Sequence, residues 1–150
     1  MLFRSGAADR NAVPLYDFPA QKITLHYLPE MPLRTSALRT LGAYANVFAA
    51  ESFIDEVAAA ADADPVEFRL RHMKDARARA VIEAVAQKAG WKAGAKGDGV
   101  HGRGFAFAKY KNLAAYVGIV VDVEIDRARG VVRVKRAVAA VDAEIGRAHV

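Results

Sequence analysis

Cysteine is absent from the 150 residues, which excludes a disulfide framework, a thiolate metal site and a cysteine nucleophile. No apolar run approaches the roughly 18 residues that a membrane-spanning helix needs. The opening Met1-Leu2-Phe3-Arg4-Ser5-Gly6 lacks the apolar stretch of a secretory leader. HExxH, His-x-His and paired-carboxylate spacings are missing, and the 4 histidines are scattered. No triad, general base or metal set is therefore legible, and no catalytic or metal-binding residue is assigned. A block of one charge sign is also wanting. The 22 basic residues outnumber 17 acidic ones for a net charge of +5, but acids interrupt most basic stretches. A nucleic-acid binder concentrates its charge on one face.

What is present suits a folded chain. Apolar residues make up 53% and charged residues 26%, too much of the first for disorder. Residues 6–42 read as irregular, punctuated by Pro14, Pro19, Pro29 and Pro32. Within them Lys22–Leu28 alternates and predicts a short strand. From Ala43 to about Ala61, Val47, Ala50, Ile54, Val57, Ala58 and Ala61 recur at helical spacing, with Glu51, Asp55 and Glu56 assigned to the opposite side. Asp64-Pro65-Val66-Glu67 is an N-cap, an N1 proline and an acidic N3, and starts a helix to about His72. A third helix spans Ala76–Ala89, with Gly90 to stop it.

After a loop at 92–104 the period changes to 2. Gly104–Tyr110 is a short strand. Val117, Ile119, Val121, Val123 and Ile125 share one face of a long strand, with Tyr116, Gly118, Val120, Asp122 and Glu124 on the other. Asp126–Gly130 makes a turn, and Val132, Val134, Arg136 and Val138 return. The fold class is α+β: an irregular N-terminal segment, three helices, then an antiparallel hairpin or sheet. Gly97-Asp98-Gly99-Val100-His101-Gly102 spells GxGxxG, but a helix precedes it and a strand follows, the reverse of the dinucleotide fingerprint. The basic groups at 77–79, 127–129 and 133–136 have Asp75, Glu83, Asp122, Glu124 and Asp126 close by and read as surface ion pairs.

Pro32–Tyr44 places two arginines, three hydroxyls and a glycine just ahead of the long helix. A helix N-terminus carries unpaired N–H groups and about half a positive charge, which suits an anion. Gly42 would permit close backbone approach. The alternative is a plain cap by Thr40 or Ser36 with solvated arginines.

The stretch Leu38–Ala58, with its Ala50-Glu51-Ser52-Phe53 and Glu56-Val57-Ala58, resembles the molybdopterin-binding large subunit of the xanthine dehydrogenase and aldehyde oxidase family. Asp64-Pro65-Val66-Glu67-Phe68-Arg69 is similar to that family's Asp-Pro-x-Glu-x-Arg continuation. Gly102–Asn112 and Val138–Ala143 look like its isoquinoline 1-oxidoreductase branch. The resemblance implies that residues 6–143 are an internal fragment of a larger molybdopterin-binding domain: 6–42 with the cofactor-side turn, 43–90 helical, 102–143 stranded. It places Leu38, Arg39, Thr40, Leu41 and Gly42 beside the cofactor. Leu38 and Leu41 stand where the family has aromatics, and Thr40 where it has a glycine.

For the full enzyme the resemblance implies a molybdenum–molybdopterin cofactor, with a cytosine dinucleotide form among the options, and water-derived hydroxylation of an aldehyde or N-heteroaromatic small molecule. Partners would be the remainder of the subunit and a [2Fe–2S] iron–sulfur subunit, with no nucleic acid and no transmembrane segment. The fragment alone is expected to be inactive, and the bacterial compartment stays open between cytoplasm and periplasm. Residues 144–150 can be encoded by the common short-read library adapter, and 1–5 by its reverse complement. Both ends are thus expected to be artefacts of a translated metagenomic insert. The reading from another class is a small basic α+β module whose hairpin touches nucleic acid.

Overall fold

A computed structural model describes residues 8–26, 28, 30, 32, 39–95, 97–111 and 114–143. The expectations for residues 1–5, 144–150, Ser36 and Leu38 lie outside them. Three helices, α1 (Ala43–Ala60), α2 (Pro65–Arg71) and α3 (Ala76–Ala89), precede three strands, β1 (His101–Tyr110), β2 (Ala114–Asp126) and β3 (Val131–Asp142). The architecture is α+β, as the periodicity predicts. No described helix is long and apolar enough to cross a membrane.

Local chemistry accounts for the helix ends. The Asp64 carboxylate accepts hydrogen bonds from the N–H groups of Val66 and Glu67 ahead of the N1 proline of α2. Asp75 does the same for Arg77 and Ala78 at α3. Gly90 closes α3 in the left-handed region at φ 65°, where an L side chain would be strained.

The strands form an antiparallel sheet in the order β1-β2-β3, and the helices cover one face of it. Val81, Ile82 and Val85 of α3 meet Tyr116 and Val120 of β2, Phe105 and Phe107 of β1, and Ile54 and Ala58 of α1 in one core. Contact is closest at Gly118, where a Cβ would lie 2.9 Å from Val85 Cγ1. Glycine is what lets α3 settle onto the sheet there.

Two sequence expectations change, and one choice the sequence leaves open is settled. Residues 21–26 form no strand; Ile23 and Leu25 remain exposed, so their alternation has no sheet to join. In β2 the core face is the even one, Tyr116, Gly118 and Val120, while the odd valines and isoleucines face away from the helices. In β3 strict alternation fails. The register steps from Asp122↔Arg136 to Val123↔Val134, leaving Lys135 as an extra residue. This bulge puts Arg136 and Val138 on the helix side and Val132, Val134, Ala137, Ala139 and Val141 on the other.

Candidate functional site

The turn at 39–42 leads directly into α1. Thr40 has φ 67° and Leu41 φ 56°, two consecutive non-glycine residues in a region that costs an L-residue roughly 1–2 kcal/mol each. Gly42, the residue before the helix, has an ordinary right-handed conformation at φ −74°. The special backbone therefore falls on Thr40 and Leu41, and not on Gly42 as its residue type suggests. Thr40 occupies the place where the resemblance has glycine, and it adopts a glycine-like conformation nonetheless.

No side chain caps α1, and its first turn holds no acidic residue. The Thr40 hydroxyl donates to its neighbour's carbonyl, Arg39 O, at 2.5 Å, and the Thr40 carbonyl accepts from Ala43 N at 3.1 Å. Thr40 thus fixes the turn and does not cap the helix. Arg39 and Thr40 are exposed, Leu41 and Gly42 half-buried. The donors assembled here are the Arg39 guanidinium and the start of α1, with no carboxylate in that first turn to oppose an anion. One turn into α1, the Asn46 amide donates to Ala8 O and Arg10 O at 2.7 and 3.0 Å and pins the N-terminal segment beside the turn.

What holds α1 in place is a charged cluster that periodicity misplaced. Glu51 is buried on the same face as Ile54 and Ala58, not on the solvent side with Glu56. Its spacing carried the signal, three before Ile54 and seven before Ala58. Glu51 Oε1 accepts from the Tyr16 hydroxyl at 2.6 Å, and Oε2 accepts from Arg69 Nε at 3.0 Å and Phe107 N at 2.8 Å. Arg69, 0% exposed, also donates to the carbonyls of Pro65 and Glu51. It pairs with Asp55 at 2.7 Å by charge, without hydrogen-bond alignment, and lies over the Phe105 ring.

Burial pushes Glu51 up from the usual carboxylate range, against the pull of Arg69 and the Tyr16 and Phe107 donors. Every group on its carboxyl oxygens is a donor, so the geometry is that of a carboxylate. Burial also raises Tyr16, and the Glu51 charge adds to it. For Arg69, burial works against the charge, but Glu51, Tyr16 and Asp55 outweigh it and hold the group above its ordinary value. The cluster ties the N-terminal segment, α1, α2 and β1 together. Glu51 and Arg69 come from the two motifs that carry the family resemblance, and their work is architectural.

Elsewhere Arg79 pairs with Glu83, Arg129 with Asp126, Lys135 with Glu124 and Arg136 with Asp122, as expected. Arg77 turns instead to Asp142 at 2.8 Å, and Arg103 joins Arg136 at Asp122. The GxGxxG segment holds no helix start. Asp98 caps the N–H groups of Val100 and His101, and β1 follows.

No protein-family profile matches the chain. Among curated proteins it is 40% identical over 155 aligned residues to a nicotinate dehydrogenase subunit of Pseudomonas putida, covering 95% of this chain and 13% of that protein. The chain is similar to a segment of an oxidoreductase subunit. It is also 35% identical over 129 residues to the beta subunit of isoquinoline 1-oxidoreductase from Brevundimonas diminuta, covering 85% of this chain and 16% of that one. The chain thus spans less than a fifth of the length of either relative. Both matched segments include the motifs at 38–58 and 64–69 on which the resemblance rests, or most of them, and both relatives are oxidoreductase subunits by name.

Proposed function

We propose that the chain is part of the molybdopterin-binding catalytic subunit of a molybdenum hydroxylase, and that the Arg39–Gly42 turn faces the cofactor. The observation that carries this is the turn itself: two left-handed non-glycine residues and an exposed guanidinium, set before an uncapped helix. It occurs in a chain similar to nicotinate and isoquinoline enzymes. The donor set fits an anionic group such as a pterin phosphate or a metal-bound oxo group.

In this reading Arg39 and the N–H groups of the first turn of α1 bind and orient that group, and the Thr40 hydroxyl keeps the turn in shape. Leu38 completes the segment that the resemblance assigns to the cofactor side. The Glu51–Arg69 cluster fixes the direction in which α1 points. When bound, the molybdenum–molybdopterin group supplies the oxidation chemistry, and the pterin nucleotide includes the cytosine form among its options. The substrate class is an aldehyde or, following the two relatives, an N-heteroaromatic. A [2Fe–2S] subunit takes the electrons. The chain alone is inactive in this reading, because it corresponds to 13% and 16% of the length of the two relatives.

The experiment is metal analysis of the complete subunit that carries this sequence. Near-stoichiometric molybdenum is expected. Arg39→Ala should lower the molybdenum-to-protein ratio about tenfold or more, the scale of a lost charged hydrogen bond, with circular dichroism unchanged. Thr40→Gly should retain the metal and gain roughly 1 kcal/mol in stability. A well-folded complete subunit devoid of molybdenum and pterin would refute the reading.

A further inference from the structure

The geometry points to the uncovered face of the sheet as the seat of a further layer of the same subunit, formed by sequence outside this chain. The inference rests on the proposed membership of a larger subunit. It arises from parity. Short of Tyr110 at the end of β1, the positions on that face are glycine, alanine, valine or isoleucine: β2 gives the odd residues from 117 to 125, β1 the even ones from 102 to 108, and β3 Val132, Val134 and those redirected by the bulge. Charged partners such as Arg103, Asp122 and Arg136 lie on the helix side or its rim.

An antiparallel sheet with one wet face alternates apolar with polar; a sheet apolar on both faces is one covered on both. Here Val132, Val134 and Val141 are 62%, 65% and 65% exposed. Nothing lies within 4 Å of a Cβ built on Gly104. Contiguous apolar area of this kind marks an interaction surface.

Valine and isoleucine on β2 form a central ridge, with glycine and alanine beside it on β1 and Val132, Val134 and Val141 standing up on β3. An uncharged covering layer fits this relief, and the extent of the relatives points to where it comes from. The relatives have room for it in one polypeptide, since the matches fill 13% and 16% of their length. The occupant is therefore an uncharged apolar layer, helix or sheet, of the parent subunit.

The test is Val121→Lys, with Val134→Lys as a second variant on the exposed edge strand. Each is made in the 150-residue chain and in the complete subunit. In the chain alone both should keep the helical circular dichroism and cut the binding of an apolar dye several-fold. In the complete subunit the same changes should lower soluble, protease-resistant yield at least fivefold. Unchanged yield of the complete subunit from both variants would overturn the inference. So would a discrete dimer of the wild-type chain that either lysine makes monomeric, because it assigns the face to a second copy. A complete subunit that fails with lysine but holds no molybdenum would refute the proposed function and leave this inference standing.

Discussion

At the scale of the residue, the decisive side chain is Glu51, because it is a charge taken out of water with its partners arranged in advance. Arg69 is fully buried against it. Removing one member strands the other, which costs about 3–5 kcal/mol, whereas replacing both by apolar groups is often far milder. Arg69→Met should therefore destabilise the chain by about that amount, and Glu51→Leu with Arg69→Met by clearly less. Chemical denaturation of the two single variants and the double closes the cycle; additive costs would remove the pair from its bracing role.

Asp75 gives a second residue-scale expectation. The Lys109 ammonium at 2.7 Å holds its carboxyl down to about 2, against the opposing effect of burial, with help from the Ala78 N–H and the Tyr116 hydroxyl. Its folded value lies below the ordinary one, so its contribution to stability is complete above about pH 4. It is lost as the pH falls through about 2. Asp75→Asn should flatten that limb of the acid-unfolding curve, as read by thermal melts across the range. An unaltered limb would mean that Lys109 does not hold the carboxyl down.

At the scale of the element, most of the fold was legible. The cap at Asp64, the stop at Gly90 and the helical spacing of apolar residues are local signals, and the three helices follow them within a residue or two; the cap at Asp75 came only with the structure. The hairpin declared itself by alternation around Asp126–Gly130. What stayed hidden depends on neighbours. β2 is apolar on its odd face and, from Tyr116 to Val120, on its even face too, so alternation alone does not say which face meets α3. The extra residue at Lys135 exists only relative to a partner strand. Lys22–Leu28 has strand composition, but residues 22–26 have no strand beside them among the described residues. The candidate turn was placed by its residues, but its left-handed backbone at Thr40 and Leu41 was not, because neither residue type announces it.

Gly118 links the helical layer to the sheet, and its substitution tests the packing of both. A methyl at that position would overlap Val85 Cγ1, so Gly118→Ala should cost about 1–3 kcal/mol. Val85→Ala opens the space, and the double variant should recover part of the loss. Absence of coupling in calorimetric melts would mean that α3 does not bear on β2 at this point.

At the scale of the whole molecule, the net charge of +5 is not gathered into a patch on the described sheet, where several cations are paired. Along the sheet Arg103, Lys135 and Arg136 each face Asp122 or Glu124, and Arg129 faces Asp126. Phosphate binding releases counterions in proportion to the cations that meet the backbone, and affinity then falls steeply with salt. Paired cations contribute little to that. Titration of the chain with duplex DNA at near-physiological salt should show no saturable complex. A tight complex with a steep salt slope would revive the nucleic-acid reading.

The bulge at Lys135 also makes the length of β3 part of its meaning. Paired in strict alternation without the bulge, Arg136 would take its place in line with Val132 and Val134, and a charge would enter the apolar face. Ala137, Ala139 and Val141 would turn toward the helices, while Val138 and Ala140 left the core. In-frame loss of the Lys135 codon itself would close the bulge and leave both faces as they are, whereas loss of a codon beyond it would exchange the inside and the outside of the rest of the strand. The exposed 92–95 segment before β1 has no such parity to keep. For a gene drifting by insertion and deletion, β3 beyond Lys135 is where the count of residues must hold even when their identities are free to change.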